Sequence, residues 1–223
     1  MDVPPDMEPD TRLMNDPAAF RYHMQHALQT AGGAVALPDA DQPVDTRLSV
    51  VLFLLGMHPR THGAEPEPCL ILNKRSAKVR QPGDICCPGG GVAPRFDRMA
   101  ARLLRLPRSP LRRWAYYAYW RKHAPRRLVR LRLLLATALR EGIEEMRLNP
   151  FALSFQGVLP AEQLVLFRRT IVPLVAWLDG QRRFFPNWEV ARIIRIPLRD
   201  LLSTDGYIGL RLRMAAPEAG TRY

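Results

Sequence analysis

Apolar residues along the chain follow two rhythms. Leu48-Ser49-Val50-Val51-Leu52-Phe53-Leu54-Leu55 is nearly unbroken and short, which predicts a strand buried on both faces. Cys69-Leu70-Ile71-Leu72 and Asp84-Ile85-Cys86-Cys87 predict two more short strands, the second stopped by Pro88-Gly89-Gly90-Gly91. The stretches 151–159, 170–178 and 190–196 read the same way; 197–202 reads as a turn of helix and 207–214 as a last strand. The other rhythm is helical. Asn15-Asp16-Pro17 offers a cap and a first-turn proline for a helix reaching about Thr30, ended by Gly32-Gly33. A second helix is expected over about 128–148. At about 100° per residue, Leu131, Leu134, Leu135, Ala138, Gly142 and Met146 form one apolar stripe on it. Strands and helices alternate irregularly and no repeat is seen, so the fold class is α/β with a mixed sheet.

Length and composition fit that pattern. At 223 residues with 47% apolar and 24% charged, the chain can bury a core without disulfide staples. A flexible leader is expected over 1–14 and a single domain over 15–223. No apolar run is long enough to span a bilayer. No basic stretch followed by an apolar one opens the chain, so the cytoplasm is the expected compartment. Cys69, Cys86 and Cys87 have neither a disulfide-framework nor a zinc spacing, and are expected to be buried thiols.

Charge is localised. Residues 98–139 hold twelve Lys or Arg and no acid, equal to the net charge of +12 of the whole chain. Trp114, Tyr116, Tyr117, Tyr119 and Trp120 are interleaved among them. Such a segment suits an anionic partner: an acidic substrate, a nucleic acid backbone or an anionic membrane to which the protein would be peripheral. The other reading is a solvated helical hairpin with a small aromatic core of its own.

The chemistry concentrates at Arg140-Glu141-Gly142-Ile143-Glu144-Glu145. Glu141 and Glu145 fall along the edge of the apolar stripe, one turn apart, with Glu144 further round. Carboxylates at such spacings repel one another, and a nearby low dielectric worsens the conflict. A divalent cation would relieve it, and hard oxygen ligands on a rigid helix suit Mg²⁺. A solvated acidic face offset by Arg140 and Arg147 is the competing reading. The glycine run after a strand adds a place where backbone can approach a ligand closely.

Together these residues resemble the Nudix hydrolase signature, G-x5-E-x7-R-E-U-x-E-E-x-G-U, where U is a bulky aliphatic. Pro88-Gly89-Gly90 matches its start, and Arg140-Glu141, Glu144-Glu145 and Leu148 its second half. Leu72-Asn73-Lys74-Arg75-Ser76 with Arg80 and Gly83 is similar to the run that precedes the signature in the coenzyme A pyrophosphatase branch. Val172-Pro173-Leu174-Val175, Asn187, Glu189-Val190 and Ile196-Pro197-Leu198 resemble that branch's later strands. Three departures stand out. Forty-two residues separate Asp97, the nearest acid, from Arg140, so a basic helical insertion is expected at about 98–132. Gly142 sits at a bulky position, and Arg147 replaces a glycine.

The resemblance implies a Nudix-like α/β/α sandwich with a mixed β-sheet. It implies Mg²⁺-dependent cleavage, with Mn²⁺ as a substitute, of the diphosphate in a nucleotide such as coenzyme A. Glu141, Glu144 and Glu145 would hold the metal and Arg140 would orient a glutamate. Glu141 is a candidate general base, and a carbonyl near Gly90 could complete the metal's shell. Arg75 and Arg80 could bind phosphates or be plain surface charges. The alternative is a binding protein on the same scaffold, docked on nucleic acid or membrane through the basic segment. The oligomeric state is left open.

Overall fold

A computed structural model describes residues 11–30, 37, 47–58, 66–164 and 168–203. Strand β1 (Leu48–His58) organises them. Both its faces are covered: Leu48, Val50, Leu52 and Leu54 are buried on one side, Leu55 with half-buried Phe53 and Met57 on the other. β7 (Arg169–Leu178) runs parallel to it, 170–178 against 48–56. The opposite edge of β1 is shared. Residues 54–58 pair antiparallel with β2 (Glu67–Arg75), and 49–51 with β4 (Gly89–Gly91). β2 in turn holds β3 (Ile85–Cys86) and, on its outer edge, β8 (Val190–Pro197). β5 (Leu153–Val158) and β6 (Glu162–Leu164) line the outer edge of β7. The result is one mixed sheet of eight strands.

Helices cover both faces. α4 (Pro125–Met146) lays its stripe of Leu131, Leu134, Leu135, Ala138, Gly142 and Met146 on one face, all buried as the period requires. α1 (Pro17–Thr30) covers the other through Phe20, Met24 and Leu28, together with α5 (Leu198–Leu202). This is the expected α/β/α sandwich.

Several boundaries differ from the sequence reading. Gly89–Gly91 does not merely stop a strand; it is one, because the glycines let this segment lie flush on β1, where a Cβ on Gly89 would collide with the Val50 carbonyl. β6 has no apolar alternation to announce it. α4 starts at Pro125, whose missing N–H costs nothing in a first turn. Thr11–Asn15 already form a 3-10 turn with Met14 buried, so order begins inside the expected leader. Residues 1–10, Gly32-Gly33 and the strand expected at 207–214 lie outside the described residues.

The basic segment forms α2 (Pro94–Leu103), a run of turns, α3 (Tyr117–His123) and the first turns of α4. Its aromatics do not form a small core of their own. Trp114, Tyr117 and Trp120 are buried in the main core, Trp114 edge-on to Phe155 at 5.0 Å and to Trp120 at 5.2 Å. The segment also caps the free edge of β5. Phe155 N–H donates to the Pro110 carbonyl, the Trp114 indole N–H donates to the Gln156 carbonyl, and Arg113 donates to the carbonyls of Phe151 and Leu153. Backbone groups that would otherwise invite another strand are satisfied within the chain.

Trp114→Ala is expected to cost about 3–5 kcal/mol in urea unfolding and to increase aggregation as the β5 edge opens. Trp114→Phe keeps most of the packing and is expected to lose only about 1–2 kcal/mol, the indole hydrogen bond included.

Candidate active site

The buried stripe fixes the rotation of α4. Glu141 and Glu145 therefore emerge at its edge, toward β4 and the end of β2. The Glu141 carboxylate fills the space a side chain on Gly90 would occupy. Asn73, on β2, donates through Nδ2 to Glu145 Oε2 at 2.8 Å.

Arg140 holds the acidic end together. Its Nε–H donates to Asp97 Oδ1 at 2.9 Å, Nη2 to Glu141 Oε1 at 2.9 Å and to the Gly91 carbonyl at 3.1 Å, and Nη1 to Glu144 Oε2 at 3.1 Å. Asp97 is fully buried on α2, and its other oxygen accepts from Ala93 N–H at 2.7 Å and the Thr137 hydroxyl at 2.8 Å. The acid expected near the glycines thus meets Arg140 in space, across 42 intervening residues. Glu144 is the outlying carboxylate. It is exposed and paired with Arg140.

Burial sets the protonation of the two inner glutamates. It raises the Glu141 carboxyl above the usual range, partly countered by Arg140. Glu145 is pushed up to about 8 by burial first, then by the charges of Glu141 and Glu189. Asn73, Arg75, Val79, Cys86, Glu145, Glu189 and Val190 line a small cleft of about 70 Å³.

This donor set fits a hard dication. Two carboxylates are held half-buried with too little positive charge to settle them, and the buried Asn73 Oδ1 beside them has no hydrogen-bond partner. Among the described residues no three potential side-chain ligands are gathered in one place. Two carboxylates suffice for Mg²⁺, which keeps several waters and takes the rest of its shell from phosphate oxygens.

Of the residues expected from sequence, Arg140, Glu141 and Gly90 come together, and Arg75 shares the small cleft with Glu145. Arg80 does not line the cleft; its side chain is exposed and its carbonyl accepts from Arg75 Nε at 2.8 Å. Asn73, which the sequence presents only within the Leu72–Ser76 run, joins the site through Glu145; it sits two residues before Arg75 and lines the cleft with it. Glu189, which the sequence places among the branch-like later strands, also lines the cleft. Of the departures from the signature, the glycine at 142 has a local cause, and nothing in the structure explains the arginine at 147. A Cβ on Gly142 would lie 2.7 Å from Leu148 Cδ2, so no bulky residue fits. Arg147 ends α4 in the left-handed region at φ 56°, which a glycine adopts without the cost of about 1 kcal/mol that a side chain brings.

Neighbouring glycines should respond differently to substitution. Gly90→Ala displaces only the flexible Glu141 carboxylate, so stability should change by less than about 1 kcal/mol while cation affinity falls at least about tenfold by calorimetry. Gly89→Ala meets the backbone of β1 and should destabilise the fold by about 2 kcal/mol or more. Glu145 carries a pH signature. Folded without a cation it keeps its proton to about pH 8, whereas unfolded it loses it near 4.5. Between those values the unfolded chain binds fewer protons, so stability falls as pH rises. Glu145→Gln should remove that slope and raise stability in EDTA at neutral pH by about 1–3 kcal/mol, as read by thermal melts.

No protein-family model matches the chain. It is 28% identical over 177 residues to the uncharacterized Nudix hydrolase NudL of Pectobacterium atrosepticum, covering 78% of this chain and 70% of that protein. Solved structures that align with it include the Nudix hydrolase RenU of Mycobacterium smegmatis, at 13% identity and TM-score 0.42 over 74% of this chain and 91% of that one. A Caenorhabditis elegans Ap4A hydrolase binary complex aligns at 14% identity and TM-score 0.42, over 70% and 82% of the two chains. The chain is thus similar over 177 residues to a Nudix hydrolase, and it carries Arg140, Glu141, Glu144 and Glu145 on one helix beside the Gly89–Gly91 strand.

Proposed function

We propose that the protein hydrolyses the diphosphate of a nucleoside diphosphate derivative, coenzyme A or a related nucleotide, with Mg²⁺ or Mn²⁺ held by Glu141 and Glu145. The half-buried, under-neutralised carboxylate pair beneath the glycine strand carries this reading. A bound dication would neutralise the diphosphate and acidify an attacking water. The chain's own groups do the rest. Asn73 fixes one oxygen of Glu145, and Arg140, anchored on Asp97, fixes one oxygen of Glu141. Glu141, its proton affinity raised by burial, is a candidate general base. Glu144 is a candidate third ligand once it leaves Arg140. Arg75 offers a guanidinium to a phosphate at the cleft. The Leu72–Ser76 run that supplies Asn73 and Arg75 supports the coenzyme A branch among nucleotide substrates. A scaffold without catalysis has less behind it, because nothing in a purely binding role offsets the cost of burying Glu145.

The test is a substrate panel of coenzyme A, ADP-ribose, dinucleoside polyphosphates and NADH with Mg²⁺ or Mn²⁺. Hydrolysis is expected, abolished by EDTA and reduced at least about 10²-fold by Glu145→Gln, since the cation stabilises the transition state by several kcal/mol. Turnover indifferent to both changes would rule out this site.

A further inference from the structure

α2 shows three different faces. Asp97 and, just beyond the helix, Leu104 are buried against α4 and the core. Arg95, Arg98 and Arg102 recur at i, i+3 and i+7 on a second, exposed face, and exposed Arg105 and Arg108 follow them. The third face is apolar and also exposed. Phe96, Met99 and Leu103 follow one another at helical spacing and are 68%, 63% and 62% exposed, and Leu106, in the turn just beyond the helix, is 54% exposed. Single exposed apolar residues need no explanation, but three in one row beside a row of arginines, continued by Leu106, do. The row adjoins an apolar groove of about 320 Å³ between α2 and α4, where Leu103, Leu139, Ile143 and Phe151 meet.

The charge suits an anionic surface, and the apolar row decides which kind. Sequence-tolerant binding of single-stranded nucleic acid relies on exposed aromatic platforms for stacking. Here Trp114, Tyr117 and Trp120 are spent on the core, and Tyr119 is the exposed aromatic of that cluster. An interfacial helix needs aliphatic and phenyl side chains that enter the boundary of headgroups and acyl chains, with arginines alongside at phosphate depth. We propose that this face of α2 docks the protein on an anionic lipid bilayer. Phe96, Met99, Leu103 and Leu106 enter the interface, and Arg95, Arg98 and Arg102 meet lipid phosphates. No helix among the described residues is long and apolar enough to cross a membrane, so this attachment is peripheral and reversible. It stands on the surface of α2 alone and holds whether or not the diphosphate chemistry is as assigned.

The experiment is sedimentation of the full chain with phosphatidylcholine vesicles, with and without phosphatidylglycerol. The protein is expected to bind the anionic vesicles and to be released by salt. Met99→Glu with Leu103→Glu should weaken binding at least about tenfold. Arg95, Arg98 and Arg102 changed together to Gln should weaken it about a hundredfold. All these side chains are exposed, so circular dichroism should be unchanged; if the glutamates unsettle α2, Leu103→Ala with Leu106→Ala should still weaken binding in the same direction. Absence of binding to anionic vesicles would overturn the proposal, as would binding indifferent to the apolar substitutions. So would displacement of the protein from vesicles by single-stranded RNA at lower charge concentration, or self-association through this face in ultracentrifugation.

Discussion

Asp97 is a carboxylate with no exposure to water, and Arg140 is the cation that makes its burial tolerable. An unpaired charge in that position would cost several kcal/mol, so the two side chains cannot be chosen independently. The pairing has a second effect. One guanidinium edge is committed to Asp97, which orients the remaining donors toward Glu141, Glu144 and the Gly91 carbonyl. A buried ion pair between α2 and α4 thus sets the position of a carboxylate facing the glycine strand. Asn73 does the same for Glu145 from the other side, without charge. The two glutamates are held by different means, and the one that lacks a directly bonded cation is the one whose proton affinity rises most.

Much of this was legible in the chain because periodicity and burial are coupled. The α4 stripe fixed which residues face the sheet, and the glutamates had to appear at its edge. The doubly apolar run of β1 signalled a central strand for the same reason. Two failures lie where backbone geometry, rather than a side-chain pattern, decides. Gly89–Gly91 has no side chains to alternate, so its pairing with β1 leaves no periodic trace. β6 is three exposed residues that pair only because β7 extends past β5. Asn73 is polar in an otherwise buried strand, a mismatch that burial alone would have penalised and that Glu145 compensates. The pairing of Asp97 with Arg140 lies beyond local spacing, since 42 residues intervene and only packing can show that they return.

The basic stretch reads differently once its faces are separated. Counted as charge and aromatic residues it suggests one large binding surface. In three dimensions Trp114, Tyr117 and Trp120 fill the core, Trp114 helps cap the β5 edge, and Asp97, just before the stretch, anchors Arg140. What remains outside is narrower: one row of arginines and one row of apolar side chains on the same ten-residue helix. A helix pinned on one side by a buried ion pair and by core packing has little freedom to rotate, so its outward rows keep a fixed orientation relative to Glu141 and Glu145. Any surface that engages those rows therefore meets α4 in one orientation, because α2 and α4 are joined through the same guanidinium that positions Glu141.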